Sequence, residues 1–302
     1  MDNIIEVKNL SYSFKNKTVL KNISFNVPKN SIFGFIGPNG AGKTTTIRIL
    51  LSLLKVQPNK VLVFGKDISK SRIGILSNVG ALIEEPSVYS HLSGYDNLKV
   101  ICRYLGLNYS RIDEVLAITD LLADKNRKVK EYSLGMRQRL SIASVLLNDP
   151  ELLLLDEPTN GLDPSGIYDM RILLQKLCKE HGKTIFVSSH LLSELEKTVT
   201  HLAIIDKQEI AFQGSIQELQ RKSQDYLVVR TSNDTQTLKM LVDMGYAVTI
   251  KEDSSLKISP NSDVNAAKIS RAIVESGVDL YTLKHQRNNL EKIFIDMVNP
   301  VL

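Results

Sequence analysis

The sequence predicts an α/β protein in two parts. The first is a mixed sheet with flanking helices, antiparallel strands at its N-terminal end and a helical subdomain; the second is a small α+β unit. Three observations carry that expectation. Short, mainly apolar runs, Ser31 to Ile36, Leu152 to Leu155 and Thr184 to Val187, alternate with helical periodicity, as expected of strands buried on both faces of a largely parallel sheet. The first of these runs ends in a glycine-rich loop followed by a helical stretch. After Gly214 the character changes to shorter strands and helices in a different order.

Taken in order, Ile4 to Phe14 and Val19 to Val27 alternate apolar and polar residues around Lys15-Asn16-Lys17, which reads as an antiparallel pair. Helical periodicity covers Thr45 to Leu54, much of Leu92 to Leu122, and Arg137 to Leu147, giving a helical subdomain over about 92–147. Further helices are expected at Arg171 to Lys179, Leu191 to Lys197 and Ile216 to Arg221. Beyond them come a strand (Tyr226 to Thr231), a helix (Thr235 to Met244) and two strands (Ala247 to Lys251, Ser255 to Ser259). A helix (Val264 to Ser276), a strand (Val278 to Lys284) and a last helix (Asn289 to Val298) complete the chain. That βαββαβ order plus a helix resembles a ferredoxin-like unit. The boundary falls near Ser223, dividing the chain into 1–222 and 223–302.

Composition narrows the class. Hydrophobic residues at 43% and charged residues at 24% of 302 residues are ordinary for a globular protein. The two cysteines, Cys102 and Cys178, fit neither a metal-ligand spacing nor a disulfide framework, so reduced thiols are expected. The net charge of +5 is spread along the chain and reads as solvated surface; the cluster Lys125, Arg127, Lys128 and Lys130 is read the same way. The N-terminus has no apolar signal region, and no stretch approaches the roughly 18 apolar residues needed to cross a bilayer. Any service to a membrane is therefore expected from the cytoplasmic side, through a partner.

The chemistry is concentrated in two motifs. Gly37-Pro38-Asn39-Gly40-Ala41-Gly42-Lys43-Thr44 fits G-x-x-x-x-G-K-S/T between a strand and a helix that opens around Thr45. Glycines let successive backbone N–H groups converge on phosphate oxygens, and the helix adds its positive N-terminus. Lys43 is expected on the β- and γ-phosphates and the Thr44 hydroxyl on Mg²⁺. The apolar strand ending in Asp156-Glu157 supplies the second motif: Asp156 on the metal side, Glu157 polarising the attacking water as general base. Together they imply a P-loop nucleotidase, with ATP or GTP still open.

Segments between and beyond these motifs select the kind. Tyr132-Ser133-Leu134-Gly135-Met136-Arg137-Gln138-Arg139 precedes a helix and resembles the signature loop of the ATP-binding cassette family, usually LSGGQ. Ser133 and Gly135 match, whereas Leu134 and Met136 depart from it. The resemblance implies that this loop contacts the γ-phosphate of ATP held by the opposite subunit. Gly161-Leu162-Asp163-Pro164 looks like the family's D-loop, placing Asp163 at the partner interface, and Ser188-Ser189-His190 looks like its switch, with His190 on the γ-phosphate. Phe14, or Tyr12 on the same strand face, matches the aromatic that stacks on adenine. Glu84 stands where the family has a glutamine near the metal. The whole pattern is similar to the bacitracin-resistance and lantibiotic-immunity subgroup of exporters. It implies ATP and Mg²⁺ as ligands, a homodimer or paired cassette closed by ATP, and a separate membrane permease that exports a drug or peptide antibiotic. The competing class, a soluble cassette ATPase acting on nucleic acid or ribosomes, usually shows tandem cassettes or a long coiled coil. This chain has one motif set and no sustained heptads, so no nucleic-acid partner is expected.

Overall fold

The computed structural model describes residues 2–83, 88–221, 225–251, 255–258 and 266–287. The chain divides into two compact units, Met1–Ile216 and Gln217–Leu302.

The first unit opens with β1 (Asn3–Phe14) and β2 (Lys17–Pro28), then β3 (Ile32–Ile36) and α1 (Lys43–Leu50). Short pieces come next: β4 (Val61–Val63), β5 (Lys66–Asp67), α2 (Arg72–Leu76) and β6 (Val79–Leu82). Helices α3 (Gly94–Leu105), α4 (Ser110–Ile118) and α5 (Leu134–Leu146) form the expected helical stretch. The unit is completed by β7 (Leu152–Leu155), α6 (Pro164–Lys179), β8 (Thr184–Ser189), α7 (Leu192–Leu195), β9 (His201–Asp206) and β10 (Glu209–Ser215).

Two sheets result. A four-stranded sheet has the order β2-β1-β4-β5, and a six-stranded sheet has the order β10-β9-β3-β8-β7-β6. In the larger sheet β9, β3, β8, β7 and β6 run parallel and β10 closes one edge antiparallel to β9. Every residue of β3, β7 and β8 is buried, which is why these strands read as unbroken apolar runs rather than as alternation. The core between the sheets holds four phenylalanines. Phe25 of β2 meets Phe35 of β3 at a ring-centroid distance of 5.2 Å and Phe186 of β8 at 6.1 Å, and Phe33 stacks on Phe186 at 5.7 Å.

Several elements differ from the sequence expectation, each for a local reason. Helix α6 begins seven residues before Arg171, at Pro164; Asp163 caps it and proline suits a first helical position because its missing N–H has no partner there. Helix α7 spans only Leu192–Leu195 within the expected Leu191 to Lys197. Strands β4, β5, β6, β9 and β10 are additional to the expected set, being short or mixed in pattern. Two members of the basic cluster are tied to carboxylates: Lys125 pairs with Asp113 at 2.9 Å and Arg127 with Asp124 at 3.3 Å.

The second unit begins within α8 (Ile216–Arg221) and continues with β11 (Asp225–Thr231), α9 (Asp234–Asp243), β12 (Val248–Ile250), β13 (Leu256–Ile258), α10 (Ala266–Glu275) and β14 (Leu280–Arg287). Its antiparallel sheet has the order β12-β13-β11-β14, the ferredoxin-like arrangement. Leu227, Val229, Leu241, Leu256, Ile258, Ile269 and Ile273 form a core of its own. The expected last helix, Asn289 to Val298, lies outside the described residues.

Because Phe186 is fully buried among three other rings, Phe186→Ala is expected to destabilise the first unit by about 3–5 kcal/mol. Urea unfolding followed by far-UV circular dichroism reads this directly. A change below about 1 kcal/mol would show that the aromatic cluster does not hold the two sheets together.

Candidate functional site

Strands β3, β7 and β8 are neighbours in register, Ile36 opposite Ser189 and Leu155 opposite Val187. Their C-terminal ends therefore deliver the glycine loop, Asp156-Glu157 and Ser188-Ser189-His190 to one place, as is usual for sites in parallel sheets.

The loop needs its glycines. Gly42 sits at φ +109°, and a Cβ there would lie 2.6 Å from Leu20 Cδ2 and 2.9 Å from the Val19 carbonyl oxygen. A Cβ on Gly37 would lie 2.3 Å from the Ile205 carbonyl oxygen. The N–H of Gly37 donates to the Ser189 carbonyl at 3.2 Å, pinning the loop to β8. Thr46, one turn into α1, returns its hydroxyl to the Gly42 carbonyl at 3.0 Å.

Lys43 is only 6% exposed. Its ammonium donates to the carbonyl of Gly37 at 2.8 Å and of Pro38 at 3.3 Å, and it pairs with Glu157 Oε1 at 3.2 Å. Glu157 Oε2 lies 2.9 Å from His190 Nδ1. The Thr44 hydroxyl donates to Asp156 Oδ2 at 2.8 Å. Ser188 Oγ donates to Asp156 Oδ1 and accepts the Glu157 N–H at 3.0 Å. The structure thus brings Lys43, Thr44, Asp156, Glu157 and His190 into one connected cluster. Beside it lies a cavity of about 280 Å³ lined by Val19, Asn39, Gly40, Gly42, Lys43, Thr44, Thr45 and Glu157. A hydroxyl and a carboxylate side by side are hard oxygen donors suited to Mg²⁺, an ion that ordinarily draws its remaining ligands from water and phosphate oxygens. Among the described residues no three or more His, Cys, Asp or Glu side chains gather as a metal cage.

Ser133 and Gly135 lie elsewhere. Ser133 caps α5, accepting the Met136 N–H at 3.2 Å. Asp163 caps α6 in the same way, accepting the Gly166 N–H at 2.9 Å. The two caps face a second cavity, about 350 Å³, lined by Ser133, Leu134, Gly135, Gly161, Leu162 and Asp163 among others. Among the described residues, none lines both cavities. Tyr132, just before the cap, is buried and donates its hydroxyl to the Asp124 carbonyl at 2.8 Å. Burial, reinforced by the nearby Asp124 charge, raises its phenol pKa, so it stays a donor throughout the physiological range.

The aromatic pair sits on the first hairpin. Tyr12 and Phe14 meet edge to face at 5.1 Å; Phe14 is 44% exposed, whereas Tyr12 packs against the core. Of the two, Phe14 has the freer ring face. Glu84 lies outside the described residues. Sequence reasoning misses Val19, whose place in the cavity follows from the bulge-ridden pairing of β1 and β2. It also gives no role to Ser188, or to Thr159, whose hydroxyl donates to Glu194 at 2.7 Å. Strand β8 carries three buried hydroxyl residues, Thr184, Ser188 and Ser189, so no local signal singles out Ser188.

Residues 20–160 match the ABC transporter family. The bacitracin transport ATP-binding protein BcrA of Bacillus licheniformis is 35% identical over 99% of this chain and 98% of its own. The lantibiotic transport ATP-binding protein SrtF of Streptococcus pyogenes is 42% identical over 67% of this chain and 86% of its own. Among solved structures, cbiO1 of Clostridium perfringens, part of the ABC transporter complex cbiONQ, superposes with a TM-score of 0.69 at 25% identity. That match covers 81% of this chain and 97% of the other.

Replacing Lys43 with Ala removes a near-buried cation from the mouth of the first cavity and is expected to weaken ATP binding about 10–100-fold, the worth of a hydrogen bond to a charged group. Equilibrium titration with a fluorescent ATP analogue measures it. Binding unchanged within twofold would dissociate the glycine loop from nucleotide recognition.

Proposed function

The chain belongs to the ABC transporter family as an ATP-binding, ATP-hydrolysing subunit, and from that premise we propose that two copies sandwich two ATP molecules to drive a separate membrane permease. The observation that carries this reading is the separation of the two cavities. The glycine loop and the capped end of α5, both anion-binding by their backbone chemistry, share no lining residue among the described residues of one chain. A second copy, turned head to tail, offers Ser133 and Gly135 to the nucleotide on Lys43. Each site is then assembled from two chains, with Asp163 at the junction.

In this reading the backbone of Gly37 to Gly42 and the Lys43 ammonium hold the β- and γ-phosphates, with Thr45 beginning the helix behind them. Phe14 stacks on adenine, with Tyr12 supporting it edge-on. Thr44 and Asp156 hold Mg²⁺, which when bound neutralises phosphate charge as the terminal phosphoryl group leaves. Glu157 takes the proton of the attacking water, and His190 keeps that carboxylate aimed through its 2.9 Å contact. Most of the rate comes from positioning and charge stabilisation rather than from a covalent intermediate. ATP binds the closed pair better than the open one and so shifts the equilibrium toward closure; hydrolysis removes that bias.

No described helix is long and apolar enough to cross a membrane. In this reading the permease is a separate subunit, and the chain works peripherally on the inner face of the membrane. The names of the relatives, bacitracin and lantibiotic transport ATP-binding proteins, point to a peptide antibiotic as cargo, and export is the direction that the subgroup resemblance implies. The unit from residue 223 onward regulates or pairs the cassettes.

Glu157→Gln keeps the shape of the side chain and removes the base. Turnover is expected to fall at least about 100-fold, the low end for losing a general base, while ATP binding persists. With saturating ATP and Mg²⁺ the variant is expected to run as a dimer in size-exclusion chromatography with light scattering. A strictly monomeric variant under those conditions would exclude the sandwich.

A further inference from the structure

We propose that Ser188 is a positioning residue for hydrolysis: its single hydroxyl sets the orientation of both carboxyl-bearing residues of β7's end, Asp156 and Glu157. The proposal rests on the ATPase reading above and adds to it a residue that contacts neither nucleotide loop nor water-activating carboxylate directly.

Ser188 is fully buried, next to last in β8, where its neighbours Ile185, Phe186 and Val187 are all apolar and equally buried. A hydroxyl in such a place costs free energy unless it is hydrogen-bonded. Here it is used on both sides: the O–H goes to Asp156 Oδ1 and a lone pair takes the Glu157 N–H at 3.0 Å. Because Asp156 Oδ2 accepts from Thr44 at 2.8 Å, the carboxylate plane of Asp156 is held from both ends. Its rotation about χ2 is thereby restricted to the orientation that shows Oδ2 to the glycine loop.

The second bond has a separate consequence. Glu157 adopts φ +48°, a left-handed conformation that is strained for a non-glycine residue and persists only where its surroundings hold it. This turn is what swings the side chain of Glu157 toward Lys43 and His190, 3.2 and 2.9 Å away, while Asp156 stays in line with the strand. The Ser188 lone pair satisfies the backbone N–H of that same strained residue. One hydroxyl on the adjacent strand therefore keeps successive carboxylates pointing in different directions, one toward Thr44 and the other toward the ammonium and imidazole. Alanine leaves Asp156 Oδ1 without this donor and the Glu157 N–H without this acceptor. Cysteine is nearly isosteric but a weak donor and acceptor.

The test uses the full chain with Ser188→Ala and Ser188→Cys, measuring steady-state ATP hydrolysis, its Mg²⁺ dependence, and ATP-analogue binding in EDTA. Loss of a group that orients metal-side ligands typically costs about 10–100-fold. That loss is expected in kcat for both variants, with a higher Mg²⁺ concentration at half-activation. Metal-free binding is expected to stay within about threefold of the parent, because the glycine loop and Lys43 are untouched. The cysteine variant keeps the test open if alanine does not fold. Either folded variant retaining kcat within twofold overturns the proposal, and so does a loss of metal-free binding in step with kcat, which would mark general damage. Failure of the parent chain itself to hydrolyse ATP would instead count against the underlying reading.

Discussion

The site is organised around one charge. Lys43 carries an ammonium that is 6% exposed, and a cation so placed has to be neutralised and hydrogen-bonded by its surroundings. Two carbonyls of its own loop and the Glu157 carboxylate do this. Everything else hangs from that requirement. Glu157 reaches Lys43 only because its backbone turns left-handed, that turn is braced by Ser188, and Ser188 is in place because β8 lies beside β7 in register. The loop carbonyls are available only because Gly42 and Gly37 let the backbone pass where a Cβ would collide. An arriving phosphate competes with Glu157 for the same ammonium. In the proposed mechanism, nucleotide binding and release of the Glu157 carboxylate are therefore coupled through a single ion pair.

Much of this architecture is legible in the sequence. The glycine loop announces itself because phosphate chemistry demands particular residues at fixed spacing, and β3, β7 and β8 do so because strands buried on both faces need unbroken apolar runs. The first hairpin is equally plain from its alternation. The features that stay hidden depend on contacts between segments far apart in sequence. Strand β6 is a four-residue edge carrying a glycine, and β9 with β10 mixes polar residues into its pattern. Val19 enters the nucleotide cavity because irregular pairing along β1 and β2 shifts which residues face the loop. Ser188 is one of two adjacent buried serines at the end of β8, and its two partners are fixed by register, which no local pattern records. The early start of α6 does have a local sign in Asp163-Pro164, a cap followed by a proline at the first helical position. The likeness of the same residues to a loop motif masks that helix signal.

The second unit makes a contrasting case. Its βαββαβ order and its 4-1-3-2-type sheet arrangement agree, and its apolar residues close a core of their own around Leu227, Val229 and Ile269. A unit with its own core need not lend stability to its neighbour. Among the described residues, none of those gathered at the glycine loop comes from it.

The departures in the signature loop have a physical resolution. Leu134 stands where a glycine is usual, and a leucine beside a loop that approaches another chain needs somewhere to go. Its Cδ2 lies 3.3 Å from where a Cβ on Gly161 would stand. Gly161, at φ +74° and lacking that Cβ, makes the room. The leucine is thus drawn sideways onto the loop before α6 instead of standing over the helix end. Ser133 meanwhile spends a lone pair on the Met136 N–H and keeps its own O–H as a donor. The backbone at Gly135 remains free of a side chain. The features that an anion needs at the end of α5, a helix terminus, a hydroxyl and an unobstructed glycine, survive the substitutions that make the motif look imperfect. The leucine also brings the two loops into steric contact, so in the proposed sandwich a shift of Gly161 would be felt directly at the N-terminal end of α5.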